Sequence, residues 1–120
     1  MRTIPLGVVI LTLALLSAVS ALAHSALVRA SPAAGSRVPK SPPRVELWFT
    51  EEIEPAFSSV AVFDAGGHEV DNRDAAVGTD KKMLAVSIPP LSPGRYKVAR
   101  RVVAVDTHKA EGSFPFVVSP

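Results

Sequence analysis

The sequence predicts an all-β fold, an immunoglobulin-like Greek-key sandwich of about seven strands, preceded by a cleavable signal peptide. Three observations support this. From Ala26 onward, short apolar or alternating runs are separated by clusters of Pro, Gly, Ser and Asp, as in all-β sandwiches. Helix-length periodicity is missing from the same stretch. The one long apolar run lies at the N-terminus, where export signals are found.

Residues 1–23 have the three parts of a secretory signal: an early positive charge, an apolar run from Ile4 to Leu16, and an Ala-x-Ala sequence ending at Ala23. Cleavage there makes His24 the first residue of the mature protein. A second small-residue site, two residues earlier, would leave Leu22 first. The apolar run is shorter than the ~20 residues of a bilayer span, so we expect the mature form not to be membrane-embedded.

The predicted mature domain, residues 24–120, has the size of one compact domain. Loss of the leader removes one of 13 basic residues, which leaves 12 against 11 acidic ones. This balance and the lack of a basic cluster with interleaved aromatics argue against a nucleic-acid partner. The chain has no cysteine, which excludes disulfides, thiolate metal sites and thiol chemistry.

The first half of the mature chain predicts three strands. Residues 26–29 form a short strand that ends at a turn rich in Pro and Gly, 31–36. Residues 40–43 contain two prolines, cannot donate to a ladder, and should cross between the sheets. Residues 44–49 alternate, with their apolar side chains on one face. A polar turn then leads to the strand 59–63.

In the second half, the pair Gly66-Gly67 is the strongest hairpin signal, because glycine tolerates the positive φ of such turns. A return strand should begin at Glu69. The polar stretch 71–80 is interpreted as a surface loop. The remaining predicted strands are 83–88, the longest strand 95–105, and 113–118.

Asp106 and His108 are candidate metal ligands at the end of the longest strand. If that strand stays extended, residues i and i+2 share a face, with Cβ atoms ~6 to 7 Å apart and Thr107 pointing away. A carboxylate and an imidazole at that separation can bind one metal ion. Alone, an Asp-x-His at a strand end is typical of a solvated turn.

His24 adds two nitrogen donors if it is the mature N-terminus, because its α-amine and its ring Nδ1 can close a chelate ring. With Asp106 and His108 the set becomes three nitrogens and one oxygen. Copper(II) favours such ligands in a tetragonal arrangement, and zinc also accepts them. Copper(I) prefers sulfur ligands, and the mature chain has a single methionine, Met83.

Glu51 belongs to a small acidic cluster and is a further candidate, either as an oxygen ligand or as a hydrogen-bond acceptor for a bound imidazole. His68 lies in the Gly-Gly hairpin and is interpreted as an exposed turn residue. No catalytic residue is predicted. The sequence has no Gly-x-Ser-x-Gly elbow and no phosphate-binding glycine loop.

Four motifs of the mature chain resemble the copper-resistance protein CopC family, of the CopC/YobA-like domain type. Three are Ala30–Gly35, Phe49–Glu51 and Leu91–Tyr96, which are similar to the family's Ser-x-Pro-x-x-Gly, Phe-Ser-Glu and Leu-x-x-Gly-x-Tyr segments. The fourth runs from residue 100 to Phe114 and resembles the signature Trp-Arg-x-x-Ser-x-Asp-x-His-x-x-x-Gly-x-Phe.

The resemblance implies a periplasmic copper carrier or buffer that acts in copper homeostasis or resistance. It implies one copper(II) ion bound by His24, Asp106 and His108, with Glu51 beside the site. It also implies an inner-membrane transporter of the CopD type as partner.

The chain departs from the family pattern at three places. Arg100 replaces the signature tryptophan, and Ala104 or Val105 replaces the serine, so the surroundings of the site should differ. No methionine-rich loop is present, which fits the members that bind copper(II) only and favours storage or delivery over redox handover.

Two other functions remain to be tested against this one. A mono-copper oxygenase would also hold copper through an amine and an imidazole, but it needs open coordination positions and a substrate platform. A metal-free sandwich module would bind another protein through a sheet edge. That module accounts for the fold but not for the position of His24 at the cleavage site.

Overall fold

The structure, a computed structural model, describes residues 26–120, so His24 and the predicted leader lie outside the described residues. Two four-stranded sheets confirm the predicted all-β sandwich, with strand orders β1-β3-β6-β5 and β2-β8-β7-β4. All strand pairs are antiparallel except β2 with β8. The strands are β1 Leu27–Ser31, β2 Arg37–Val38, β3 Arg44–Phe49, β4 Ser59–Phe63, β5 Ala76–Val77, β6 Met83–Ser87, β7 Gly94–Val103 and β8 Lys109–Val118.

The described residues contain one helical element, a 3-10 turn at Pro55–Phe57. No helix within 26–120 has the length and apolar character needed to cross a bilayer. The strand count is eight rather than about seven because two unpredicted two-residue strands, β2 and β5, pair at sheet edges, whereas the predicted return strand at Glu69 is only a bridge. Such short segments carry no alternation that a sequence pattern could reveal.

The core lies between the inner faces of the two sheets. Alternation in β3 buries Val45, Leu47 and Phe49, of which none is more than 3% exposed. The opposing sheet supplies Val98 and Phe116, which are also buried. Each such side chain contributes about 1.5 to 3 kcal/mol by leaving water. Because the chain has no cysteine, this core provides the main stabilisation of the domain.

The predicted crossing and hairpin are both present. Residues 40–43 connect β2 in one sheet to β3 in the other, as the two prolines indicated. In the hairpin after β4, Gly67 has φ 84°, and the Asp64 N–H donates to the His68 carbonyl at 2.9 Å. The predicted return strand is reduced to a single bridge between Phe63 and Glu69.

The prediction of a plain surface loop at 71–80 is wrong in two respects. Residues Ala76–Val77 form β5, which pairs with β6. Asp71 is only 9% exposed, and its two carboxylate oxygens accept hydrogen bonds from the Val62 N–H at 2.9 Å and the Arg73 N–H at 2.8 Å. The Asp71 carboxylate thus accepts the hydrogen bond of the Val62 N–H at the outer edge of β4, as the carbonyl of a neighbouring strand does elsewhere in a sheet.

Candidate metal centre

The hairpin between β7 and β8 carries Asp106 and His108. The strand β7 ends at Val103, and not at 105 as predicted. The Ala104 N–H donates to the His108 carbonyl at 2.9 Å, and the Thr107 N–H donates to the Ala104 carbonyl at 2.9 Å. Thr107 has φ 74°. The condition of an extended chain through His108 is therefore not met, because the chain has to reverse here to form the antiparallel β8.

The turn brings the Asp106 and His108 side chains into direct contact. One Asp106 carboxylate oxygen, Oδ1, accepts the His108 backbone N–H at 3.1 Å, and Oδ2 lies 3.0 Å from His108 Nδ1. The hydrogen bond with the His108 side chain, and then that with its backbone N–H, lower the pKa of Asp106 below its ordinary value. Both side chains are about half exposed, so an ion from solvent can reach them.

A carboxylate within hydrogen-bond distance of Nδ1 influences which ring nitrogen of a histidine carries the proton. If Nδ1 carries the proton and donates it to Asp106, Nε2 is the nitrogen with the lone pair that a metal requires. Asp106 can therefore act as a ligand or can orient the imidazole. In either role the two residues offer one carboxylate and one imidazole to a metal ion on a short, closed turn.

The start of the described chain is tied to the same end of the sandwich. The Ala26 N–H donates to Thr50 Oγ1 at 3.0 Å, and the Thr50 N–H donates to the Ala26 carbonyl at 2.9 Å. Two residues further along, the Glu52 carbonyl accepts the Val105 N–H at 3.0 Å. The segment from Thr50 to Glu52 thus links the start of the described chain to the residue next to Asp106.

His24 precedes Ala26 by two residues, and consecutive Cα atoms are about 3.8 Å apart. The position of His24 lies outside the described residues. The hydrogen bonds of Ala26 nevertheless fix where the described chain begins, at the end of the sandwich that carries the β7–β8 hairpin.

The other candidate residues do not join this pair in a group of three possible ligands within the described structure. Within residues 26–120, no three His, Asp or Glu side chains are grouped so that they could hold a metal ion, so Glu51 does not complete a site with Asp106 and His108. His68 is 81% exposed in its hairpin, where its Nδ1 lies 3.3 Å from Asp64 Oδ1. Among the described residues, Asp106 and His108 therefore form a pair of candidate ligands and not a group of three.

Arg100, the residue at the signature tryptophan position, occupies an unusual place. It lies on β7 between Val98 and Val102, both of which are buried, so its side chain projects from the same inner face of the sheet. Partial burial lowers the pKa of its guanidinium. Gly112 is its partner on β8, and a Cβ atom at Gly112 would lie 2.8 Å from the guanidinium carbon.

The absence of a side chain at Gly112 thus makes room for Arg100. The departure at Arg100 is visible in the sequence, whereas its contact with the Gly112 position is visible only in the structure. The feature of the sequence that points to this contact is the signature glycine, Gly112, which the strand register places opposite Arg100.

The comparisons with known proteins agree on one family. A family model described as the CopC domain matches residues 27–119. Copper resistance protein C of Pseudomonas syringae pv. tomato is 36% identical over 109 residues, which cover 83% of this chain and 86% of that protein. Protein YobA of Escherichia coli K12 is 33% identical over 119 residues, or 98% of this chain and 95% of that protein. The crystal structure of CopC from Methylosinus trichosporium OB3b has a TM-score of 0.76 and 41% identity, and the match covers 81% of this chain and 95% of that one.

Proposed function

This chain belongs to the CopC family, and from that premise we propose that it is an exported copper(II)-binding protein that carries or buffers copper in the periplasm. The observation that supports this best is the contact between Asp106 and His108 on an exposed turn, at the end of the sandwich where the described chain begins. We further propose that residues 1–23 are a signal peptide and residues 24–120 the functional domain.

The proposed site holds one copper(II) ion. Its donors are the α-amine and imidazole of His24, the imidazole of His108 and the carboxylate of Asp106. Three nitrogens and one oxygen suit the tetragonal geometry that copper(II) prefers. A free amine is one of the ligands, so cleavage after Ala23 would create the site.

Copper(II) is proposed rather than copper(I) because the sulfur ligands are missing. The full chain has two methionines, Met1 and Met83, and only Met83 lies in the proposed mature domain. Met83 opens the strand β6 and pairs in register with Trp48. A single strand methionine does not form the thioether set that copper(I) selects.

The exposure of the site fits a carrier better than an enzyme. Asp106 and His108 are about half exposed on a hairpin, so a second protein could take the ion from them without unfolding the donor. A carboxylate in the copper plane would also occupy a position that an oxygenase needs for its substrate. The proposed receiver is a membrane copper transporter of the CopD type, and Glu51 is proposed to lie next to the bound ion.

The test has two parts. Mass analysis of the exported protein should place its first residue at His24. Copper(II) titration against a competing chelator should then show tight binding for this form, and a loss of roughly 10-fold or more when one residue is added ahead of His24, because the extra peptide bond removes the amine donor.

His68→Ala, which removes an exposed histidine at the other hairpin, is the control and should bind like the native protein. Affinity should also fall between about pH 8 and pH 5, because the α-amine, with a reference pKa near 7.7, has to lose its proton to bind copper. Equal affinity of the extended and native forms would refute the proposed site.

A further inference from the structure

The outer face of the sheet β2-β8-β7-β4 has an uneven distribution of charge. Its exposed charged side chains lie at the positions of β7 and β8 that alternate with buried residues, and at one position of β2, whose partner Val117 is also on the outer face of β8. Five of them are basic and one is acidic. They are Arg37, Arg95, Lys97, Arg101 and Lys109, with Glu111 as the acid.

This face lacks the compensating carboxylates that the rest of the domain has. Glu111 lies 3.5 Å from Arg101, an exposed pair that contributes little to stability. Among the described residues, no carboxylate lies within ion-pair distance of the other four basic side chains. The basic residues of the whole chain nearly balance the acidic ones, 13 against 11. The positive face therefore reflects segregation of charge, and such a face is electrostatically complementary to an acidic surface.

A groove lies on this face at the end with the β7–β8 hairpin. It has a volume of about 640 Å³, and its walls include Phe57, Val103, Thr107, Arg101 and Lys109. Phe57 is 68% exposed, which is unusual for an aromatic side chain of a small domain. Exposed aromatic residues in a concave surface are typical anchors of protein interfaces.

The groove is held in place by the 3-10 turn that carries Phe57. The hydroxyl of Ser58, the residue after that turn, accepts the Val103 N–H at 3.1 Å. The same hydroxyl lies 3.5 Å from the Val103 carbonyl, to which it donates. One wall of the groove is thus bonded directly to β7, so the groove is formed before any partner binds.

The groove is next to the proposed copper ligand. Thr107 and Lys109, the two chain neighbours of His108, both line it, whereas His108 itself does not. A chain segment seated in the groove would contact both neighbours of His108 and leave its ring uncovered.

We propose that this face docks an acidic protein segment that inserts one apolar side chain beside Phe57 and places carboxylates on Arg101 and Lys109. A protein segment is favoured over an anionic lipid surface because a concave groove accepts a protruding side chain, whereas a membrane presents a broad plane. The docking itself is independent of copper. That the docked protein exchanges copper with His108 rests on the function proposed above.

The docking can be measured on the metal-free exported protein by NMR titration. The probe is a short synthetic peptide of Glu and Asp with one central Leu, compared with the same peptide in which Lys replaces the acids. We expect the acidic peptide alone to shift the amide signals of Phe57, Arg101 and Lys109, with an affinity that falls as salt is raised.

Two double variants with the same change in net charge distinguish peptide binding in the groove from non-specific electrostatic attraction. Arg101→Gln with Lys109→Gln should weaken peptide binding about 3- to 10-fold. Lys81→Gln with Lys82→Gln, at exposed positions that precede β6 in the other sheet, should leave it unchanged. Phe57→Ser should weaken binding without changing its salt dependence.

Three results would overturn the proposal: no binding of the acidic peptide, equal weakening by the two double variants, or binding to vesicles of anionic phospholipid in place of the peptide. None of these depends on copper. Failure of docking is therefore distinguishable from failure of the proposed copper site, which the N-terminal extension tests.

Discussion

Replacing Thr50 by valine tests whether the N-terminal end of the described chain has to be anchored for copper to bind. The Thr50 hydroxyl accepts the Ala26 N–H at 3.0 Å, while the Thr50 N–H and the Ala26 carbonyl form a second, backbone hydrogen bond. Valine has nearly the shape of threonine, so Thr50→Val removes the first hydrogen bond and leaves the second.

The expected size of the effect follows from that one bond. A hydrogen bond at an exposed position contributes about 0.5 to 1 kcal/mol net, because water replaces the lost partner. If the anchor holds His24 against Asp106 and His108, copper(II) affinity should fall by about 2- to 5-fold. Thr50→Ser, which keeps the hydroxyl, should bind copper like the native protein.

Competition titration with a copper(II) chelator measures this change, and thermal unfolding of the metal-free variants checks that the fold is intact. The reasoning is refuted if Thr50→Val and the native protein bind copper equally well while the N-terminal extension still abolishes tight binding. That outcome would mean that His24 reaches the site without the bond to Thr50.

Two further predictions concern stability. Gly112→Ala should lower the free energy of unfolding, measured with urea, by about 1 kcal/mol, because the new Cβ atom would lie 2.8 Å from the Arg100 guanidinium carbon. In a chain that also carries Arg100→Ala, the same Gly112→Ala change should stabilise the strand, because the clash is gone and alanine loses less backbone entropy than glycine. Hydrogen bonds from the Ser87 hydroxyl, and then from the Ser87 backbone N–H, lower the pKa of Asp74. The ionised Asp74 carboxylate therefore stabilises the folded state fully above the unfolded pKa near 3.9, and this stabilisation is lost as pH falls through the lower folded pKa. Asp74→Asn should therefore reduce stability at neutral pH and flatten the acid limb of a stability–pH curve, and an unchanged limb would contradict this.

Much of the fold could be predicted from local pattern. The alternation of Val45, Leu47 and Phe49 indicated one buried face because the period of a strand is two, and all three side chains are buried. The glycine pair indicated a hairpin because glycine, which has no Cβ atom, adopts positive φ without steric cost, and Gly67 does so. These signals lie within a few neighbouring residues, so no knowledge of the tertiary structure was needed.

The local geometry of Asp106 and His108 was predicted less well. Their spacing indicated that they lie close together, and they do, but through a tight turn and not along an extended strand. The end of β7 depends on where β8 begins to pair, which the residues of β7 alone do not specify. The burial of Asp71 escaped prediction for a similar reason, since its partner is the N–H of Val62 on another strand.

Six of the strands, the main turns and the residues with ligand chemistry followed from the sequence alone, because strand period, proline, glycine and donor type act at short range. Only the tertiary structure decided which distant residues meet: Ala26 with Thr50, Arg100 with Gly112, and the basic residues of three strands on one face. The physical reason is that these contacts depend on the register of strands far apart in the chain, which is set by the packing of the whole core.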